Sequence, residues 1–207
     1  MRPNLVIFDL YGTLIQFGVK HHPFRKVLQW ARQQGRSPEP DDARTLMTCP
    51  EDPVELFAAM GIFPPAHMIA QLQKEIEQEL ASLALFDDVI PTLRQLSDWR
   101  IPIAICSNLA KPYGAVLEQL LPDVPLLKCL SYDVGYIKPE QEIYQWIVDR
   151  AKVDPAHCLF VGDTLLADYE GPTQFGFRAR HLIRGTKRST ETIGTLTDIL
   201  ALKEIAC

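Results

Sequence analysis

The chain has 207 residues, of which 47% are hydrophobic and 23% charged, and its 21 basic and 26 acidic side chains leave a formal net charge of −5. This composition is typical of a globular domain with a buried core and excludes a disordered chain. A mildly acidic chain is not expected to bind nucleic acid as its main partner.

Neither a membrane span nor an export signal is expected. The first apolar run covers only residues 5–8, and no later stretch reaches the roughly 18 uninterrupted apolar residues that a span requires. The five cysteines are scattered, odd in number and without metal-binding spacing. This pattern favours a reduced, cytoplasmic setting.

Short apolar runs rich in β-branched residues recur along the chain, as is typical of strands buried on both faces. Helical patterns lie between them, such as the face formed by Val89, Leu93 and Leu96. Alternating strands and helices predict a doubly wound α/β fold, with a parallel sheet covered on both sides. The predicted strands are residues 5–8, 101–106, 126–130, 158–161 and 179–183.

The segment 16–86 interrupts this alternation, because it has no clear strand pattern and several helical ones. A helix is predicted over 22–34, a second after the capping carboxylate of Asp52, and a third over 66–85, where an apolar stripe runs. We therefore predict an all-helical cap, residues 16–86, inserted into an α/β core made of residues 1–15 and 87–207.

Polar side chains follow the apolar runs, and ligands of doubly wound sheets bind beyond the carboxyl ends of the strands. Asp9 follows the first run, Ser107 the second and Asp163 the fourth, and Asp168 comes shortly after. Lys138 precedes the helix that leads towards the fourth run. We expect these five side chains to meet at one edge of the sheet.

The charges expected at this edge do not balance, because three aspartates face one lysine. Each like-charged pair about 4 Å apart costs roughly 4 kcal/mol at an effective dielectric of about 20, so the cluster must protonate or bind a hard divalent cation. Few carboxylates together with a phosphate oxygen favour Mg²⁺, which suits phosphoryl transfer. Asp9 is then the candidate nucleophile, and Ser107 the candidate donor to a substrate oxygen.

The ordered set of motifs resembles the haloacid dehalogenase superfamily. VIFDLYGTL is similar to its first motif, ICSN to its second, YIKPE to its third and LFVGDTLLAD to its fourth. The helical insertion is similar to the cap of the subgroup that contains many small-molecule phosphatases. The resemblance implies a Mg²⁺-dependent phosphohydrolase that acts on a small phosphorylated metabolite through an aspartyl-phosphate intermediate.

The resemblance also implies roles for individual residues. Asp9 would attack the substrate. Lys138 would stabilise charge on Asp9 and on the substrate, and Thr13 and Ser107 would hold the transferring group. The substrate-binding residues that it implies are Asn108, Tyr11 and Gly12. The metal ligands that it implies are Asp9, the Tyr11 carbonyl oxygen, Asp163 and Asp168.

Position 11 departs from the phosphatase pattern. Phosphatases of this superfamily carry an aspartate two residues after the nucleophile as the general acid and base, whereas this chain has Tyr11. A tyrosine with a pKa of about 10 is a poor base at neutral pH, and such catalysis is typically worth about 10² to 10⁴-fold. Tyr11 resembles instead the DxYGT motif of 2-haloacid dehalogenases, whose halide leaves without a proton.

The fourth motif resembles the phosphatases, because dehalogenases replace the metal aspartate with serine and this chain keeps Asp163. Dehalogenases also receive the halide on a cap arginine, for which Arg32, Arg36 and Arg44 are available. Three functions follow as alternatives. The charge balance favours a Mg²⁺-dependent phosphohydrolase, and the others are a dehalogenase of a halogenated small molecule and a catalytically weak binding protein.

Overall fold

The computed structural model describes residues 2–122, 124, 126–202 and 205. Met1 and Cys207, the end residues of the predicted core, lie outside this part. The described strands are β1 (Leu5–Phe8), β2 (Ile15–Phe17), β3 (Leu83–Leu85), β4 (Ile103–Ser107), β5 (Leu126–Leu130), β6 (Cys158–Gly162), β7 (Arg178–Leu182) and β8 (Thr192–Ile193). Six of them form one parallel sheet in the order β5–β4–β1–β6–β7–β8, and β2 pairs with β3 in an antiparallel ribbon.

Helices lie between the strands: α1 (Pro23–Gln33), α2 (Asp42–Thr48), α3 (Pro53–Ala59), α4 (Ala66–Ala81), α5 (Val89–Asp98), α6 (Val116–Leu120), α7 (Ser131–Val134), α8 (Gln141–Ala151) and α9 (Gly171–Phe175). The first four lie between β2 and β3, and the others alternate with strands of the sheet. Within the described ranges, no helix has the length and apolarity needed to cross a bilayer.

Both faces of the sheet are covered, as β1 shows. Successive side chains of a strand point to opposite faces. Val6 belongs to a buried cluster with Leu93 of α5, whereas Ile7 belongs to a second cluster with Ile147 of α8. A strand buried on both sides must be apolar throughout, which is the pattern seen in the sequence. The predicted doubly wound α/β fold is confirmed.

The five predicted strands correspond to β1, β4, β5, β6 and β7, with small shifts at their ends. The structure differs at the ends of the segment 16–86, where β2 and β3 pair, with Phe17 opposite Leu83. The helix predicted over 66–85 ends at Ala81 because the chain turns there into β3. Strands of three residues are too short to show an alternating pattern, so the sequence did not reveal them.

The four inserted helices pack around an apolar cluster of their own. It contains Val27 of α1, Phe57 of α3 and Leu72 of α4, all of them buried. The amphipathic patterns predicted for this segment therefore face one another rather than the sheet. The predicted cap spans residues 16–86; from here on, the cap denotes residues 18–82, which lie between β2 and β3 and include these helices.

Ion pairs connect the cap to the core. Arg44 of α2 lies 2.6 Å from Glu140, which precedes α8. Asp52 precedes α3 as predicted, but its side chain makes no capping hydrogen bond within the part of the chain that the structure describes. Instead, one of its oxygens lies 3.1 Å from the Lys111 ammonium of the core. The cap is therefore held over the carboxyl ends of the strands by polar contacts on two sides.

Candidate active site

The candidate active site lies where three neighbouring strands of the sheet end. β1 pairs in parallel with β4 on one side and with β6 on the other. Asp9 directly follows β1, Ser107 is the last residue of β4, and Asp163 directly follows β6. Parallel strands present their carboxyl ends at the same edge, so these three residues meet there, as the sequence predicted.

Lys138 lies between two carboxylates. Its Nζ is 2.7 Å from Asp9 Oδ1 and 2.5 Å from Asp168 Oδ1. Lys138 is 4% exposed, Asp9 7% and Asp168 1%. Burial on its own lowers the pKa of Lys138, but the two carboxylates outweigh burial and hold that pKa well above its ordinary value. The ammonium therefore stays charged at neutral pH and offsets one of the carboxylates.

The surroundings of Asp9 raise the pKa of its carboxyl group, which is still ionised at neutral pH. Burial raises the pKa of Asp9 to about 6, Lys138 opposes this rise and Asp168 adds to it. Ser107 Oγ donates a hydrogen bond to Asp9 Oδ1 at 3.1 Å, so Ser107 and Lys138 contact the same oxygen. Oδ2 is the candidate atom for attack on a substrate.

Three carboxylates gather at this edge. Asp9, Asp163 and Asp168 each offer an oxygen, and the three atoms lie within 4.8 Å of one another. Desolvation and then the charge of Asp168 raise the pKa of Asp163, while Thr13 Oγ1 donates to Asp163 Oδ1 at 3.5 Å. Lys138 compensates only one of the three charges. Oxygen ligands with excess negative charge are the donors that a hard divalent cation prefers, so these residues fit a Mg²⁺ site.

The turn after β6 positions Asp168. The Thr164 amide donates to Asp168 Oδ2 at 2.9 Å, and a π-helical turn, Leu165–Glu170, begins directly afterwards. A Cβ at Gly162 would lie 2.4 Å from Asp168 Cγ, so a side chain there would displace the carboxylate. Glycine at the end of this strand is therefore a requirement of the site.

Asn108 holds the loop that carries Lys138. Its Nδ2 donates to the Lys138 carbonyl oxygen at 2.8 Å, and its Oδ1 accepts from the Lys138 amide at 2.7 Å. Both ends of the side-chain amide thus contact the backbone of the residue that pairs with Asp9. The structure gives Asn108 a positioning role, and its contact with substrate stays a prediction.

Tyr11 connects the loop after Asp9 to the cap. Its hydroxyl donates to the Tyr113 carbonyl oxygen at 2.8 Å, and its ring stacks on Phe17 with centroids 5.0 Å apart. The Tyr113 hydroxyl in turn donates to the buried Glu79 carboxylate of α4. Burial, reinforced by Glu79, raises the pKa of Tyr11 above its ordinary value. Neither Tyr113 nor Glu79 belongs to a recognisable motif, which is why sequence reasoning missed both.

Two of the cap arginines considered for halide binding are paired with carboxylates. Arg36 contacts both oxygens of Asp42, at 2.6 and 2.7 Å, and Arg44 contacts both oxygens of Glu140, at 2.6 and 3.1 Å. Arg32 is exposed at the end of α1. A guanidinium held by two carboxylate oxygens has fewer donors left for a halide. The structure therefore does not favour Arg36 or Arg44 as a halide ligand.

We expect Gly12→Ala to disable the carboxylate cluster. Gly12 has a φ of +91°, and a Cβ there would lie 2.3 Å from Asp163 Oδ2. The added methyl group should move this carboxylate and weaken Mg²⁺ binding by about 10 to 100-fold, measured by isothermal titration calorimetry.

Gly35→Ala is the matched control for this substitution. Gly35 has a φ of +94°, but a Cβ there would meet no atom of the described residues within 4 Å. The control introduces the same backbone strain without the collision. Equal Mg²⁺ affinities in the two variants would contradict the predicted position of the metal.

A comparison with protein families identifies a family that matches most of the chain. The profile of the haloacid dehalogenase-like hydrolase family matches residues 3–176. A curated relative, the glyceraldehyde 3-phosphate phosphatase of Methanopyrus kandleri, is 27% identical over 139 residues, which are 66% of this chain and 60% of that protein. The alignments span 38% and 60% of the length of two curated relatives.

Solved structures share the fold. HAD-hydrolase YfnB from Bacillus subtilis, bound to magnesium, has a TM-score of 0.66 and 19% identity over 97% of this chain and 98% of that one. The 2-haloacid dehalogenase of Pseudomonas syringae pv. Tomato DC3000 has a TM-score of 0.63 and 20% identity over 97% of both chains. The family profile covers most of the 207 residues, and the chain therefore belongs to the haloacid dehalogenase-like hydrolase family.

Proposed function

We propose that this protein is a Mg²⁺-dependent phosphohydrolase of a small phosphorylated metabolite, with Asp9 as the nucleophile. The observation that carries the proposal is the group of three carboxylates, two of which pair with the Lys138 ammonium. A phosphate dianion would be repelled by this edge unless a divalent cation offset the excess charge. The likeness to the M. kandleri phosphatase and to magnesium-bound YfnB supports the proposal.

The reaction proceeds in two displacements at phosphorus. Asp9 Oδ2 attacks, the bond to the leaving oxygen breaks, and an aspartyl phosphate forms. Water then attacks the phosphorus, which releases inorganic phosphate and regenerates the Asp9 carboxylate. Lys138 would hold Asp9 in place and balance charge on it. The Ser107 and Thr13 hydroxyls, which donate to Asp9 and Asp163 in the free protein, would turn to donate to phosphoryl oxygens when substrate binds.

The residues that would hold the metal are Asp9, Asp163, Asp168 and the Tyr11 carbonyl oxygen. When bound there, Mg²⁺ would supply positive charge for the phosphoryl oxygens. Ligation requires the ionised form of each carboxyl group, so metal affinity depends on the protonation of Asp9.

The leaving group should be a good one, because Tyr11 is a poor proton donor. Its hydroxyl already donates to the Tyr113 carbonyl oxygen, and burial raises its pKa. We therefore expect acetyl phosphate to be hydrolysed about 10² to 10⁴-fold faster than glycerol phosphate, the factor that general acid catalysis is typically worth. Tyr11→Asp should raise turnover of glycerol phosphate, and comparable rates for both substrates in the unmodified protein would contradict this expectation.

A substrate panel separates the three candidate functions. Release of inorganic phosphate from acetyl phosphate, abolished by EDTA and restored by Mg²⁺, is the result that we expect. Release of chloride from 2-chloropropionate without metal would replace the proposal with a dehalogenase, for which Tyr11 is the supporting residue. If the intact, folded protein releases neither phosphate nor chloride, a binding role is favoured.

We expect stabilisation of the protein by Mg²⁺ to depend on pH with a midpoint near 6. Burial raises the pKa of Asp9 to about 6, so the proton and the metal compete for this carboxylate below that pH. Since only the ionised form ligates, affinity should fall about tenfold for each pH unit below the midpoint and level off above it. Thermal unfolding with and without Mg²⁺ at pH 5 and pH 8 measures this, and equal stabilisation at both would contradict it.

A further inference from the structure

A cavity of about 430 Å³ lies between the cap and the core. Its cap side is formed by Phe24 and Leu28 of α1 and by Leu46 of α2, and Tyr113 lines its core side. Its volume is in the range of small-molecule sites, and most of its lining is apolar.

The walls of this cavity are attached to two loops of the active site. Tyr113 accepts the hydrogen bond of Tyr11, which comes two residues after the nucleophile. The Met47 carbonyl oxygen, in the α2 wall, accepts from Ser131 Oγ at 2.5 Å, and Ser131 Oγ accepts from the Leu109 amide at 2.9 Å. Leu109 follows the Ser107–Asn108 motif. Hydrogen bonds therefore connect the cavity to the loop that follows the nucleophile and to the loop that follows Ser107.

An aromatic wall runs along one side of the cavity. The Phe17 and Phe24 rings lie 6.2 and 6.3 Å from the Tyr113 ring, centroid to centroid. Such rings pack favourably against another flat apolar ring. A leaving group with several hydroxyls would lose water there without gaining partners, which costs free energy.

The charge of the lining is positive. Lys20 and Arg25 are exposed residues of the lining. The acidic Glu79 is buried, and its oxygens accept from the Tyr113 hydroxyl and from the His21 and His22 amides. Cations at the opening of a cleft attract an anionic substrate and raise its rate of association.

We propose that the cavity receives the aromatic leaving group of the substrate, so that this protein prefers aryl or aroyl phosphates over phosphates of small polar groups. The inference rests on the proposed function, since it names the leaving group of that reaction. It combines an apolar, aromatic wall, a cationic opening and attachment to both loops of the site.

Binding of two phosphonates to the Mg²⁺-loaded protein tests the cavity without turnover. Phenylphosphonate and methylphosphonate share the anionic group and differ in the ring. We expect phenylphosphonate to bind about 10 to 100-fold more tightly by isothermal titration calorimetry, the range that burial of a small apolar group gives. Equal affinities for the two would overturn the inference.

Variants at Ala43 test where the ring binds. Ala43 lines the cavity but is itself exposed on α2, so the fold should tolerate substitution there. Ala43→Asp places a charge in the cavity and Ala43→Trp fills it, and both should abolish the preference for phenylphosphonate. Ala70→Asp, at an exposed position of α4, is the matched control and should keep it. A preference retained in both Ala43 variants would overturn the inference.

A kinetic comparison separates this inference from the proposed function. Benzoyl phosphate and acetyl phosphate both release a carboxylate, so the ratio of their kcat/KM values reports mainly on the ring. We expect a ratio of about 10 or more that falls to about 1 in Ala43→Asp. Mg²⁺-dependent hydrolysis of both at equal kcat/KM overturns the inference alone, whereas tight binding of phenylphosphonate without any hydrolysis overturns the proposed function alone.

Discussion

Replacing Asp9 with asparagine should abolish Mg²⁺-dependent phosphate release, with kcat/KM for acetyl phosphate lower by about 10⁴-fold or more. Asparagine has nearly the same size as aspartate and can still accept the hydrogen bond of Ser107. It lacks the anionic oxygen that attacks phosphorus and the charge that pairs with Lys138. A continuous assay of inorganic phosphate measures the effect.

The fold should survive this substitution, because Lys138 keeps its second carboxylate, Asp168, at 2.5 Å. Asp87→Asn is the matched control, since Asp87 is exposed and outside the site. It should keep full activity. An Asp9→Asn protein with more than about a tenth of the original activity, at unchanged stability, would show that another group attacks phosphorus.

Replacing Lys138 with methionine should destabilise the metal-free protein by about 3 to 5 kcal/mol at neutral pH. The substitution leaves the buried Asp9 and Asp168 without the ammonium that lies 2.7 and 2.5 Å away. The free energy of unfolding from urea titrations measures the loss. It should shrink as the pH falls, because protonation removes the uncompensated charges.

Two further variants test this explanation. Adding Asp168→Asn to Lys138→Met removes one orphaned charge and should restore part of the lost stability. Lys128→Met is the matched control, since Lys128 pairs with Glu118 at the surface and exposed pairs are worth only about 0 to 1 kcal/mol. Equal losses for Lys128→Met and Lys138→Met would mean that the buried pairing of Lys138 does not explain the effect.

Five of the six strands of the sheet, and the residues gathered at its edge, were predictable from local sequence, whereas the two-residue β8 was not. Continuous apolar runs identified strands buried on both sides, and the residue that follows a parallel strand must lie at the edge where the other strands end. Asp9, Ser107 and Asp163 were predictable for that reason. The helices of the cap followed from periodicity, since each carries an apolar face.

Long-range packing, and not local sequence, sets the contacts of the nucleophile loop and the contacts between the cap and the core. The bond from Tyr11 to the Tyr113 carbonyl oxygen joins residues 102 positions apart, and that from Ser131 to Met47 joins residues 84 apart. Local sequence patterns carry no information about such distant partners. A single tyrosine or serine in the sequence likewise does not reveal which residue it contacts. The same holds for the short ribbon of β2 and β3, which depends on pairing across the whole cap. Periodicity records which face of an element is buried, whereas the partner across that face is chosen by packing of the complete chain.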